Sequence, residues 1–147
     1  GGCGEDKYRE EMETRAVERG LDNVTFLGWV DEEELFAQYK SADVYVLPSR
    51  ADPWGISVVE AMKAGTPVIL SDAVGAGRDL VDGKKTGYIF PSEDSTVLAD
   101  YLADLLSDAE KRRKMGQEAR TVATELMNYD RMASTIDSAV RRATSGE

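Results

Sequence analysis

The chain alternates short apolar runs with longer stretches in which apolar side chains recur every three or four residues. The short runs, bounded by glycine, proline or polar residues, are typical of β-strands. They lie at 24–27, 44–47, 67–70 and 87–90. The amphipathic stretches predict helices. These cover about 5–19, a stretch after Asp31, 55–64, a turn near Asp79, 95–106, 110–126 and 129–142.

Strands that alternate with helices indicate an α/β fold, in which helices cover both faces of a parallel sheet. The 147 residues suffice for one compact domain, which we predict over residues 1–147. The first helix follows a glycine-rich beginning with no strand before it. We therefore expect a partial α/β domain whose sheet has four strands.

Local spacing predicts further details of two helices. Asp31 and Glu34 have the spacing of a capping box at a helix start. In the helix at 55–64, the inward side chains are expected to include Ile56, Val59 and Met62.

Charge and composition exclude several kinds of chemistry. The chain has 18 Lys and Arg, 28 Asp and Glu, and no histidine, for a net charge of −10. A negative field repels phosphate backbones, so we expect no nucleic-acid partner. Without histidine there is no Ser-His or Cys-His catalysis, and acid–base chemistry is left to carboxylates. The single cysteine, Cys3, allows no internal disulfide and suits a reducing compartment, which predicts a cytoplasmic protein.

The loop after the second apolar run is the strongest candidate for a binding site, because ligands of parallel sheets bind beyond the strands' carboxyl ends. Gly55 permits close approach to the backbone, and the first amides of the following helix form an anion site. Glu60 lies about 7 Å along that helix, within reach of a ribose diol. Alternatively, Glu60 is a solvated helix residue and Asp52 only complements the helix dipole. Spacing alone favours that alternative.

The segment 52–69 resembles the signature of the GT-B retaining glycosyltransferases of the group-1 class, family GT4. It has two acidic residues separated by seven others, followed by Ala-Met, a small residue and Gly-Thr-Pro-Val. Further stretches resemble the family's flanking strands and loops in the same order. They are 2–4, 24–28, 41–49, 74–75 and 86–91. The resemblance covers nearly the whole chain and favours a functional role for Glu60.

The resemblance implies a Rossmann-like, three-layer domain with a parallel sheet and C-terminal helices, namely the donor-binding half of a GT-B enzyme. It implies two catalytic residues, with Glu60 holding the donor's ribose and Asp52 facing the transferred sugar. Backbone groups of four residues would hold sugar hydroxyls and the diphosphate: Trp54, Gly55, Ile56 and Ser57. The turn Gly28-Trp29-Val30 would lie beside the nucleobase. Transfer in this class retains the anomeric configuration and uses no metal or other cofactor.

The resemblance also implies parts of an intact enzyme that this chain lacks. An earlier strand-helix section with an Arg/Lys pair, and the acceptor-binding domain, would lie upstream of Gly1. The partners would be a nucleotide-sugar donor and, through the absent domain, a carbohydrate or lipid-linked acceptor. That domain could also place the intact enzyme peripherally on a membrane. We expect the isolated chain to be inactive, and its last helix, with Met132, Ile136 and Val140, to fray or self-associate.

One departure from the family pattern leaves an alternative open. Asp52 stands where glutamate is usual, and its shorter side chain could move the carboxylate enough to weaken turnover. The alternative is a non-catalytic nucleotide-sugar-binding or interaction module with a degenerate site. A third hypothesis, a phosphoacceptor domain that uses Asp43, is weaker because Asp43 precedes its strand.

Overall fold

The structure, a computed structural model, describes residues 3–126 and, further along, residues 137, 140, 141 and 144. Met132 and Ile136, with most of the helix predicted at 129–142, lie outside the described residues, so that helix and its self-association stay predictions. The chain divides into two compact units, with the division between Glu34 and Leu35. Each unit is described by itself below.

The first unit is built on one polar helix, α1 (Cys3–Glu18). Ion pairs one turn apart support its exposed surface, including Arg9 with Glu13 at 2.7 Å. After α1 the chain turns back, and the Leu21 amide donates to the Ala16 carbonyl at 2.9 Å. Helix α2 (Glu32–Ser41) begins as the capping box predicts, since the Glu34 amide donates to Asp31 Oδ1 at 2.9 Å.

The prediction of a strand at 24–27 is wrong. These residues form no strand, although they are described throughout. A strand requires a ladder of hydrogen bonds to a neighbouring strand, and this run has none. The Phe26 carbonyl instead accepts from the side chain of Arg9. Apolar periodicity identified a β-prone segment but could not supply its pairing partner.

The second unit contains a parallel sheet of three strands: β1 (Tyr45–Leu47), β2 (Val68–Ser71) and β3 (Gly87–Phe90). They pair in the order β1-β2-β3, with Tyr45 opposite Val68 and Val68 opposite Gly87. The central strand is buried along its whole length, as its continuous apolar run predicts. The α/β prediction is therefore confirmed, with three parallel strands among the described residues rather than four.

Helices follow or precede each strand, close to their predicted positions. They are α3 (Ile56–Ala64), α4 (Ala76–Leu80), α5 (Ser95–Ser107) and α6 (Ala109–Leu126). Because side chains alternate along a strand, β2 contributes to a core on each face. Val68 and Leu70 pack in a cluster with α3, α4 and α6, whereas Ile69 packs with Phe90 and Leu105.

The inward face of α3 differs from the prediction at one residue. Val59 and Met62 are buried as expected, but the Ile56 side chain is 71% exposed. Ile56 is the first residue of the helix and shares a stripe with Glu60 and Lys63, four and seven residues on. That stripe lies beside the buried face rather than within it.

Candidate functional site

The loops after β1 and β2 are joined at the carboxyl edge of the sheet. The Asp52 amide donates to the Ala73 carbonyl at 3.2 Å, and the Gly75 amide donates to the Asp52 carbonyl at 3.0 Å. A further bond runs from the Ala76 amide to the Trp54 carbonyl at 2.9 Å. These bonds hold the segment before α3 in place, at the edge where parallel sheets bind ligands.

The start of α3 depends on Gly55. This residue is buried and has φ 85°, in the left-handed region that favours glycine. A β-carbon there would lie 3.0 Å from methyl groups of Val58 and Val74. The Val58 amide closes the first turn by donating to the Gly55 carbonyl at 3.0 Å. The helix start therefore offers the N–H groups that precede this bond and a positive dipole end. This arrangement suits an anionic ligand.

Asp52 lies just before this helix start, with its carboxylate engaged in the local turn. Its Oδ1 accepts a hydrogen bond from the Trp54 amide at 3.1 Å. That bond fixes the direction of the side chain and leaves Oδ2 for a further partner. Trp54 is partly exposed beside it, at the rim of the same loop.

Glu60 and Ser57 are each contacted by a tyrosine hydroxyl, from the buried Tyr39 and the half-buried Tyr45. Tyr39 Oη donates to Glu60 Oε2 at 3.3 Å, and Tyr45 Oη donates to Ser57 Oγ at 2.7 Å. The two rings meet edge to face with centroids 5.5 Å apart. Burial, followed by the proximity of Tyr45 and Glu60, raises the pKa of Tyr39 to about 12. Tyr39 is therefore a protonated donor at neutral pH.

Sequence reasoning missed these two tyrosines as parts of the site. Tyr39 fits the apolar face of an amphipathic helix, and Tyr45 fits a buried strand, so the pattern assigned both to the core. Their hydroxyl partners are 21 and 12 residues away in the chain. The one available signal was general: the hydroxyl of a buried tyrosine usually requires a hydrogen-bond partner.

The remaining predicted site residues lie in the first unit. Gly28 has φ 71°, and the Trp29 side chain is 89% exposed. Val30 is half-buried. Within the second unit the structure does bring together Asp52, the backbone of 54–57 and Glu60. The role of Gly28, Trp29 and Val30 beside a nucleobase stays a prediction.

Other charges at this edge of the sheet are already paired. Arg50, in the loop after β1, forms an exposed ion pair with Glu93 at 2.9 Å. The Asp72 carboxylate accepts from the Ser92 amide at 2.8 Å, and this bond lowers the pKa of Asp72. Asp43 lies before β1, where its carboxylate pairs with Arg112 at 3.0 Å. Its position at the opposite end of the strand does not support a phosphoacceptor role.

Two kinds of feature are absent from the part of the chain that the structure describes. No group of three or more His, Cys, Asp or Glu side chains in that part of the chain is arranged to hold a metal ion. None of the described helices is both long and apolar enough to cross a membrane.

The chain is an α/β domain with a parallel sheet of three strands, and its candidate site lies at the carboxyl ends of those strands. The chain belongs to the group 1 glycosyltransferases, because the pattern of the family Glycosyl transferases group 1 matches residues 3–122. This match confirms the family that the segment 52–69 predicted.

Curated relatives support the same assignment. The D-inositol 3-phosphate glycosyltransferase of Corynebacterium efficiens is 34% identical over 148 residues, covering 100% of this chain and 34% of that protein. The phosphatidyl-myo-inositol mannosyltransferase of Mycobacterium leprae is 37% identical over 146 residues, covering 92% of this chain and 39% of that protein. The chain thus spans little more than a third of the length of these relatives.

Solved structures share the fold. Sucrose-phosphate synthase from Thermosynechococcus elongatus superposes with a TM-score of 0.80 at 34% identity, covering 96% of this chain and 35% of that one. Anabaena HepE in complex with UDP and glucose gives a TM-score of 0.77 at 28% identity, covering 92% of this chain and 38% of that one. The predicted GT-B relationship is therefore confirmed.

Proposed function

We propose that this chain binds the nucleoside diphosphate sugar donor of a retaining glycosyl transfer that needs no metal or other cofactor. The observation that carries the proposal is the arrangement at α3. A glycine-initiated helix start presents the backbone amides of 55–57 beside Asp52, with Glu60 about 7 Å further along the same helix. Anabaena HepE, a structural neighbour, is described in complex with UDP and glucose, which supports a ligand of this class.

The proposed reaction breaks the bond between the anomeric carbon and the diphosphate oxygen. The diphosphate leaves with the electron pair, and the acceptor hydroxyl oxygen forms the new bond on the same face of the sugar while its proton passes to the departing diphosphate oxygen. The amides of 55–57 and the positive end of α3 would stabilise the negative charge on the leaving diphosphate. Glu60 would hold the ribose hydroxyls, and Asp52 would face the transferred sugar.

The acceptor is proposed to bind elsewhere in a longer protein, since the chain spans little more than a third of its curated relatives. A carbohydrate or lipid-linked acceptor fits those relatives, whose names include inositol 3-phosphate and phosphatidyl-myo-inositol. The chain alone would then bind the donor without transferring sugar. We also propose a cytoplasmic location for the protein. Any contact with a membrane would be made through the acceptor-binding part.

An NMR titration of the chain with UDP, GDP and ADP tests donor binding. The expected result is saturable binding, with shifts at 54–60 and a clear preference for one base. Glu60→Ala should weaken binding roughly tenfold or more, as loss of a charged hydrogen-bonding partner does. Glu118→Ala, an exposed glutamate change on α6, is the control and should leave the affinity unchanged. Absence of binding to every nucleotide at millimolar concentration would contradict the proposal.

The second candidate is a nucleotide-sugar-binding module without transfer activity. It is favoured by the Asp52 carboxylate, which is already bonded to the Trp54 amide. The substitution Asp52→Asn distinguishes the two candidate functions, because asparagine keeps an oxygen for the Trp54 amide but removes the charge. In the complete protein, a catalytic Asp52 predicts at least a tenfold loss of transfer with unchanged affinity for the nucleoside diphosphate. A non-catalytic module shows no transfer before or after the change.

A further inference from the structure

We propose that Tyr39 and Tyr45 are positioning residues of the donor site, which orient Glu60 toward the ribose and Ser57 toward the diphosphate. The inference rests on the proposed function and extends it to two residues outside the family signature. It concerns the hydroxyl groups of the tyrosines, since the Tyr39 ring lies in the core and the Tyr45 ring packs against it.

The turn that follows α3 fixes both tyrosines. Thr66 Oγ donates to the Tyr39 carbonyl at 2.6 Å, and the Tyr45 amide donates to the Pro67 carbonyl at 2.9 Å. From these anchors the two hydroxyls reach back to α3, one to Glu60 and the other to Ser57. The end of the helix thus sets the orientation of two side chains nearer its beginning.

The packing of the two tyrosine rings restricts the position of each hydroxyl group. Tyr39 is only 8% exposed, and its ring packs edge to face against Tyr45. A tyrosine has just two side-chain torsions, so a ring held on several sides places its hydroxyl accurately. Tyr39 comes from α2 and Tyr45 from β1, so both elements contribute to the orientation of one binding surface.

At Glu60 the contact with Tyr39 gives the two carboxylate oxygens different roles. Oε2 accepts the Tyr39 hydroxyl, which holds the carboxylate plane and leaves Oε1 with both of its acceptor positions for a ligand. A ribose diol donates two hydroxyl hydrogens and matches such an acceptor. Without Tyr39 Oη, the carboxylate would rotate among several orientations, and ordering it would cost free energy on binding.

At Ser57 the contact fixes the direction of a proton. A serine hydroxyl has one hydrogen to donate. With Tyr45 as the donor of this 2.7 Å bond, the hydrogen of Ser57 Oγ is left to point away from Tyr45. Ser57 lies in the first turn of α3, so this hydrogen is available to an anion at the helix start. Tyr45 therefore prepares Ser57 as a donor to a diphosphate oxygen.

The two roles make different predictions for a ligand that lacks the ribose hydroxyls. The experiment is a calorimetric titration of the chain with the preferred nucleoside diphosphate and with its 2′,3′-dideoxy analogue. Tyr39→Phe should weaken binding of the natural nucleotide three- to tenfold and leave the dideoxy affinity unchanged. Tyr45→Phe should weaken both ligands by the same factor. If Tyr39 only stabilised the fold, Tyr39→Phe would change the affinities for the two ligands by the same factor.

Tyr88→Phe is the matched control, because Tyr88 Oη donates to the Asp104 carboxylate at 2.6 Å in the other core cluster. The same chemical change there should alter neither affinity. The pair Tyr39→Phe and Glu60→Ala supplies a second measurement. Once Glu60 is replaced, Tyr39→Phe should have no further effect on the affinity for the natural nucleotide.

The outcomes separate the inference from the proposed function. If the unaltered chain binds neither nucleotide, the proposed function fails and the inference falls with it. If the chain binds and Glu60→Ala weakens binding, the proposed function stands. In that case an equal effect of Tyr39→Phe on both ligands, or no effect on either, overturns the inference for Tyr39. An effect of Tyr45→Phe on the natural nucleotide alone overturns it for Tyr45.

Discussion

Gly75 lies directly against the backbone of Pro53, so that a β-carbon on Gly75 would overlap the Pro53 carbonyl oxygen. The contact lies between the loops after β2 and β1, beside the bond from the Gly75 amide to the Asp52 carbonyl. The close approach of these two backbones fixes the segment from Asp52 to Gly55. Any side chain at position 75 must therefore displace that segment.

Gly75→Ala is accordingly expected to destabilise the fold by about 1–3 kcal/mol, as overpacking of a tight contact does. It should also weaken nucleoside diphosphate binding, because the start of α3 shifts with the loop. Denaturant unfolding and calorimetric titration measure the two effects.

Gly77→Ala is the control for this change. A β-carbon there meets mainly the flexible end of Ile89, with Cδ1 at 3.3 Å. Its effect on the free energy of unfolding should be below about 1 kcal/mol, with binding unaltered. Equal effects of the two substitutions would show that the Pro53 contact does not constrain the loop.

A second prediction compares the two sides of α3. Met62 is fully buried, so Met62→Ala should lower the free energy of unfolding by about 2–5 kcal/mol. Ile56, on the exposed stripe of the same helix, should tolerate Ile56→Ala within about 0.5 kcal/mol. Only its backbone is assigned to the ligand, so nucleotide affinity should also persist. A large loss of stability in Ile56→Ala would contradict the outward orientation.

The sequence predicted the parts of the molecule whose determinants are local. The run at 67–70, which contains most of β2, is apolar and buried throughout. The helix carrying Glu60 lies within a contiguous signature that begins at Asp52. Position on a helix face was harder to predict, because side chains three and six residues apart lie about 60° and 120° from one another around the axis, so such a spacing extends beyond one face. Ile56 shows this effect, since it begins the helix and faces solvent.

Long-range pairing could not be predicted from one sequence. The run at 24–27 has β-prone residues, but whether it becomes a strand depends on a neighbour that periodicity does not specify. The hydroxyl contacts of Tyr39 and Tyr45 likewise depend on how α2 and β1 pack against α3. The motif thus located the candidate site, whereas its supporting contacts required the fold.

The pKa of Tyr39 makes the stability of the chain sensitive to alkaline pH. In the folded chain its pKa is raised from 10.0 to about 12, first because of burial and then because of Tyr45 and Glu60. Between these two values the unfolded chain has lost the Tyr39 proton and the folded chain keeps it. The unfolded state then binds fewer protons, so stability falls as pH rises. This contribution is fully present below pH 10 and is lost by about pH 12.

Comparison with Tyr39→Phe isolates this effect, because the variant keeps the ring but cannot ionise there. Below pH 10 the variant should be less stable by about 1 kcal/mol, since it lacks the hydrogen bond to Glu60. Between pH 10 and 12 the unaltered chain should lose about 2 kcal/mol more than the variant, which reverses their order. Denaturant unfolding at several alkaline pH values measures the difference. An ultraviolet titration should in parallel show a late-ionising phenol that is missing from the variant. Parallel stability curves across this range would contradict the buried, hydrogen-bonded state of Tyr39.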